Sequence, residues 1–204
     1  DKSKGVAGYL AIVRDSIKTS GKNWIYKDVL PDNLLRLIKN QVEHVLSEVN
    51  PIVKNIIEIV SVSPKPIGFH YLREYFQAEL PFDEINRTEL LIVDNEKEII
   101  SLKHDLAKSI INQKLEGRKE ILTKTLLEVV QKNPEYDGEL LTLLLEELKD
   151  YNGLVSLLSP SKIKLAIDTG KTNTIISRIR AILKLALQTE NLEELSKWGW
   201  GLAA

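Results

Sequence analysis

The sequence predicts an all-α protein, an irregular bundle of about eight helices. Three observations lead there. Apolar residues recur at three- and four-residue spacing over most of the 204 residues. Prolines and glycines break the pattern into helix-sized pieces with short connections, and no two apolar runs match well enough to pair as strands.

Val6, Leu10, Val13 and Ile17 form the first stripe, stopped by Ser20-Gly21, where glycine can adopt the left-handed conformation that closes a helix. Asp32 after Pro31 is placed as an N-cap for a second stripe of Leu34, Leu35, Ile38, Val42, Val45, Leu46 and Val49. Asn50-Pro51 removes a backbone donor, so Ile52, Val53, Ile56, Ile57 and Val60 belong either to a kinked continuation or to a new helix with Pro51 in its first turn. A short helix through Phe69, Leu72, Phe76 and Leu80 is closed by Pro81.

Leu90–Val93 fits a buried strand or the first turn of a helix, and helix is favoured because no comparable strand stands ready to pair with it. Asp94 or Asn95 would then cap a long helix, with Glu98 at capping-box distance from Asn95 and a stripe of Ile99, Leu102, Leu106, Ile110 and Leu115. Gly117 interrupts this stripe; Ile121, Leu122, Leu126, Val129 and Val130 resume it up to Asn133-Pro134. After an Asp137-Gly138 turn, residues 140–148 are apolar on almost every side, the signature of a helix surrounded by neighbours. Pro160, Gly170 and Asn191 delimit three more helices, the middle one carrying Ile175, Ile176, Ile179, Leu183 and Leu187.

No repeat of about 30–45 residues recurs, which argues against a solenoid. Ser61, Ser63, Pro64, Pro66 and Gly68 crowd one segment, the clearest linker in the chain. The domain expectation is therefore a helical segment 1–60, a Pro-rich linker 61–68 and a bundle 69–204, or else a single domain 1–204.

Composition excludes several chemistries. With 28 Lys+Arg against 29 Asp+Glu the net charge is -1, so the chain is neither a globally basic nucleic-acid binder nor an acidic tail, and any electrostatic attraction is local. Hydrophobic residues make up 43%, enough for a folded core rather than disorder. The absence of cysteine removes disulfides, thiolate metal sites and cysteine nucleophiles together. His44, His70 and His104 lie in separate segments without the spacing that puts two ligands on one helix face. No apolar run reaches the roughly 18–20 residues of a membrane span, and no signal-peptide pattern opens the chain, so a soluble, cytoplasmic protein is expected.

Gly170-Lys171-Thr172 looks like the end of a phosphate-binding loop. That loop needs a further glycine where Leu165 stands and a strand before it, whereas residues 162–167 read as helix. Gly170 is better taken as a helix stop, with Thr172 or Asn173 capping the next helix. Ser47, Ser101 and Ser109 sit within helical patterns, and Glu43, Glu48, Glu58, Glu96, Glu98 and Glu116 mostly on polar faces, so no acid/base or nucleophile constellation emerges. Asn86-Arg-Thr88 is a formal glycosylation triplet of the kind that arises by chance. The expectation is a non-enzyme without metal or cofactor.

Charge is locally segregated. Residues 133–150 hold Glu135, Asp137, Glu139, Glu146, Glu147 and Asp150 against Lys149; residues 161–187 hold Lys162, Lys164, Lys171, Arg178, Arg180 and Lys184 against Asp168. The basic block suits phosphate backbones but contains no aromatic residue on which bases could stack; the simpler alternatives are pairing with the acidic block or plain solvation. Lys2, Lys4, Arg14, Lys18, Lys22 and Lys27, near Tyr9, Trp24 and Tyr26, form a second basic group suited to a phosphate-rich partner, a membrane surface or solvent. Near the C-terminus, Trp198 and Trp200 are flanked by Gly199 and Gly201, which discourage a continuing helix; the tryptophans then either fold back into a groove or anchor a partner.

Together these features suggest a non-catalytic helical interaction module, an adaptor or subunit that engages another protein or a second copy through Trp198 and Trp200. One alternative is a nucleic-acid binder using Lys162, Lys164, Lys171, Arg178, Arg180 and Lys184. Another is a helical carrier of a lipid or other hydrophobic ligand.

Overall fold

A computed structural model describes Arg14, residues 34–132 and residues 138–203. The first stripe and its Gly21 stop, the Asp32 cap, the basic N-terminal group apart from Arg14, and the Asn133-Pro134 stop lie outside the described residues. Helix accounts for 73% of the structure, in eleven helices among the described residues, so the fold is predominantly all-α. The chain divides into two compact units, residues 1–122 and 123–204.

The first unit opens with α1 (Leu34–Glu48) and α2 (Pro51–Val62). Ile38, Val42 and Val45 are buried as the stripe predicts, but Leu37 and Gln41 join them while Leu35 stands 54% exposed. Asn50 settles the Pro51 question in favour of a new helix. Its side chain accepts a hydrogen bond from the Val53 amide at 2.8 Å, an N-cap, and Pro51 occupies the first turn, where a missing N–H costs nothing. From Ile56 onward α2 is buried at every position, including Glu58, whose carboxylate takes Arg118 Nη2 at 3.0 Å.

The segment 61–68 is internal to this unit. Ser61 and Asn112 exchange hydrogen bonds, Asn112 Nδ2 donating to the Ser61 carbonyl at 3.1 Å and Ser61 Oγ to Asn112 Oδ1 at 3.2 Å. Lys108 Nζ donates to the Ser63 carbonyl at 2.5 Å. Ile67 and Gly68 then form β1, buried against β3.

The expectation of a helix starting at residues 90–93 and capped anew at 94–95 is overturned. Leu91–Asp94 is strand β2 and Ile99–Leu102 is strand β3, an antiparallel hairpin that β1 completes as a sheet of order β1-β3-β2. Val93 pairs with Ile100 and Leu91 with Leu102. The hydrogen bond read as a helix cap does form, since Asp94 Oδ1 accepts the Lys97 amide at 3.0 Å, but it closes a turn. Glu98 in the left-handed region (φ 50°) turns the chain back into β3 instead of onward into a helix.

Between β1 and β2 lie α3 (Phe69–Phe76) and α4 (Phe82–Arg87). α3 stops short of Leu80 because Gln77 adopts a left-handed conformation (φ 49°), although Leu80 is buried beyond it. These two short helices, joined by residues 77–81, precede the β2–β3 hairpin. Helix α5 (Asp105–Leu115) packs on α1 and α2 through Ala107, Ile110, Ile111 and Leu115. It ends at Glu116, whose φ is 42°, and α6 (Arg118–Lys132) begins just after Gly117.

The second unit contains α7 (Gly138–Glu147), α8 (Tyr151–Ser156), α9 (Pro160–Asp168), α10 (Thr172–Gln188) and α11 (Leu192–Ala203). α7 buries Leu140, Leu141, Leu144 and Leu145, but α10 is the helix against which α7, α8, α9 and α11 all pack. The buried face of α10 differs from the aliphatic stripe read along it. Ile179, Ala181, Ile182, Leu185 and Ala186 are inside, whereas Ile176 and Leu187 point outward. The small alanines let neighbouring helices approach a helix touched on several sides.

The α9–α10 junction confirms the role given to Gly170. Its φ is 70°, and the Lys171 amide reaches back to the Ala166 carbonyl at 2.7 Å, closing α9. The next cap lies one residue earlier than expected, at Lys171, without a side-chain cap bond. Asn191 caps α11 by accepting the Glu194 amide at 3.2 Å. The glycines near the C-terminus do not end the helix, which runs through Gly199 and Gly201 to Ala203. Two interior glycines cost about 1 kcal/mol each relative to alanine, and the packing of α11 on α10 offsets this.

Candidate functional site

The second unit carries a cleft of about 270 Å³ between α7 and α10. Glu139, Thr142 and Glu146, spaced one turn apart, line the α7 wall; Ser177, Arg180 and Lys184 line the α10 wall in the same way. Leu143 and Ala181 provide its apolar surface. Lys184 Nζ and Glu146 Oε1 form an ion pair across the cleft, which holds the Lys184 ammonium above its ordinary pKa. Ser177 and Arg180 make no hydrogen bond or ion pair among the described residues. The Thr142 hydroxyl donates to the Gly138 carbonyl at 2.8 Å.

Of the six cations assigned to a nucleic-acid surface, Arg178, Lys162 and Lys184 are engaged within the unit. Arg178 is half-buried, donates from Nη1 to the Leu157 carbonyl at 3.0 Å, and is held below its ordinary pKa by desolvation. Its Nε is buried without a partner among the described residues. Lys162 donates to the Ser156 carbonyl at 3.2 Å, and Lys184 faces Glu146. Lys164, Lys171 and Arg180 are exposed and make no such bonds among the described residues.

Trp198 lies within α11 and is half-buried. Its indole Nε1 donates to Glu194 Oε2 at 2.8 Å and to the Tyr151 hydroxyl at 3.1 Å, tying α11 to α8. Tyr151 also donates to Glu194 Oε2. Burial, and then the adjoining carboxylate, push the Tyr151 pKa up to about 12. The same hydrogen bond leads the causes that hold Glu194 below the usual carboxylate range, so the shared proton stays on the phenol. Lys197 Nζ lies 5.4 Å from the centre of the Trp198 ring and 3.8 Å from Glu194 Oε1. The Trp200 side chain lies outside the description.

The first unit has a smaller cleft, about 190 Å³, between α1 and α4. His44 Nδ1 lies 3.4 Å from Glu48, and Asn50 donates to Glu84. Buried Gln41 donates to Glu89 at 2.8 Å, and its own Oε1 lacks a partner among the described residues. α4 starts with Asp83 and Glu84 and ends with Arg87, and the turn between β2 and β3 carries Glu96 and Glu98 against Lys97.

Among the described residues no group of three His, Asp or Glu is placed to hold a metal ion, and no helix is long and apolar enough to cross a membrane. Sequence reasoning picked out Arg180 and Lys184 but not the cleft they line, because Ser177 and Thr142 carry no signal until α7 and α10 are side by side. No family model, curated protein or solved structure matches the chain.

Proposed function

We propose that the chain is a non-catalytic helical interaction module, an adaptor or subunit whose second unit docks against another protein or a second copy of itself. The observation that carries this reading is the aliphatic surface the second unit leaves in water. Leu192 is 78% exposed, Leu187 67%, Leu165 59% and Ile167 56%. Full burial of such a side chain is worth roughly 1.5–3 kcal/mol, so a partner that covers several of them gains substantial free energy. Trp198 contributes less as an anchor than its type suggests, because its N–H is already bonded within the unit. We place the protein in the cytoplasm.

The nucleic-acid alternative is weakened by the internal bonds of Arg178, Lys162 and Lys184, and rests on Lys164, Lys171 and Arg180. The hydrophobic-ligand alternative needs more room than the two clefts offer. At about 190 and 270 Å³ with charged walls, both fall below the roughly 300–1,000 Å³ of typical ligand sites.

The test is co-purification of the full chain from its native source, with mass spectrometry of what remains bound, repeated with a Leu187→Ser/Leu192→Ser variant whose helicity is unchanged. Loss of a protein partner, or dissociation of an oligomer, in the variant is the expected result. An unchanged bound set and a monomer in both forms would refute the reading. A complex that weakens steeply with salt and contains nucleic acid would favour the alternative.

A further inference from the structure

The cleft between α7 and α10 contains a free guanidinium and a free hydroxyl on one helix face. Ser177 and Arg180 stand three residues apart, so both point into the same groove, with buried Ala181 beside them and Leu143 on the α7 wall. Neither is engaged by another group among the described residues, and Arg180 is exposed. Lys184, one turn further on, is spent on Glu146. The groove thus offers one unused cation, one unused hydroxyl donor and a short apolar surface.

The acidic wall narrows the ligand chemistry. Lys184 is paired with Glu146 and Glu139 lines the same wall, so a dianion such as phosphate would face two carboxylates with only one unpaired cation to hold it. A single carboxylate matches the planar fork of an arginine, which can bind both of its oxygens at once. The hydroxyl of Ser177 can donate a further hydrogen bond to the same group. An aliphatic group next to the carboxylate would lie on Leu143 and Ala181.

We propose that this cleft binds a carboxylate carried beside a small aliphatic group, through Arg180 and Ser177, as presented by a peptide C-terminus ending in an aliphatic residue or by a free acid of that kind. None of the four exposed aliphatic residues on which the interaction reading rests lines the cleft, and either proposal can fail without the other.

Amide and side-chain NMR of the full chain, titrated with N-acetyl-leucine, tests the proposal. Saturable shifts at Ser177, Arg180 and Lys184 are expected, reaching about nine-tenths of their limit at about 10 mM if Kd is near 1 mM. Arg180→Gln should weaken binding at least tenfold and Ser177→Ala by less, and since Arg180 makes no internal bond its variant should fold normally. N-acetyl-leucinamide, which lacks the charge, should not bind. A pentapeptide ending in leucine that binds more tightly than N-acetyl-leucine would identify the peptide source, and equal affinities the free acid. Absence of saturable shifts with either acid, equal binding of the amide, equal shifts with inorganic phosphate, or undiminished affinity in Arg180→Gln would overturn the proposal.

Discussion

Gly153→Ala offers a test in which two ordinary rules give opposite signs. Gly153 lies within α8, where replacing glycine by alanine in a helix interior normally stabilises by about 1 kcal/mol. Here the new Cβ would stand 2.5 Å from Asp150 Oδ2 and 2.7 Å from Leu145 Cδ2. Asp150 is the N-cap of α8 and accepts the Gly153 amide at 2.8 Å, so moving its carboxylate aside sacrifices the cap, a loss of about 0.5–2 kcal/mol. Leu145 is 1% exposed and cannot swing into solvent; crowding it costs about 1–3 kcal/mol. Against a gain of about 1 kcal/mol, the net effect is destabilisation of about 0.5–4 kcal/mol. Gly199 is the matched control, lying inside α11 with nothing within 4 Å of its would-be Cβ, so Gly199→Ala should stabilise by about 0.5–1 kcal/mol. Urea unfolding followed by circular dichroism measures both, and hydrogen exchange at Leu154 reports α8 directly. If Gly153→Ala raised the unfolding midpoint as Gly199→Ala does, the close approach of α7 to the start of α8 would be wrong.

Three other perturbations follow from named contacts. Arg118→Ala leaves the Glu58 carboxylate buried without its cation; because the Arg118 side chain is 62% exposed, the cost is at the lower end, about 1 kcal/mol in the urea midpoint, and a second change to Glu58→Gln should recover part of it. Tyr151→Phe removes a hydroxyl that gives and receives a hydrogen bond while Trp198 keeps Glu194, so about 1 kcal/mol should be lost, with the largest rise in hydrogen exchange in α11. The same network sets a pH dependence. Glu194 is lowered on folding, so its contribution is complete above the ordinary value of 4.5 and lost as pH falls through the folded value below it. Tyr151 is raised, so its contribution is complete below 10.0 and lost as pH rises toward about 12. Unfolding midpoints measured against pH should therefore drop at both ends more for wild type than for Tyr151→Phe, and parallel curves would contradict the assignment.

What could be read from the sequence was the local chemistry of helix ends. Gly170 stops a helix as expected and Pro51 opens one, the second of the two readings left open there, because a left-handed stop or a first-turn proline needs only a few neighbouring residues. The hairpin was hidden for the same reason. An aspartate accepting the amide three residues on begins a helix and a turn equally well, and Ile99 and Leu102 stand at a spacing that both structures allow. What decides is the pairing of Ile67 with Ile100, a contact between residues far apart in sequence. The face of α10 was misread because alanines score weakly in an aliphatic stripe yet lie inside a helix packed on several sides. At the cleft, Arg180 and Lys184 were visible as charges, but the helix they would face was not.

Anyone dissecting this chain will be tempted to cut at the prolines. A fragment beginning at residue 69 would lose the short strand that Ile100 pairs with, remove the carbonyl that receives Lys108, and expose the inner faces of α5 and β3. Such a piece should come out of expression as insoluble material, whereas limited proteolysis of the intact protein should leave the Ser63–Pro66 bonds uncut.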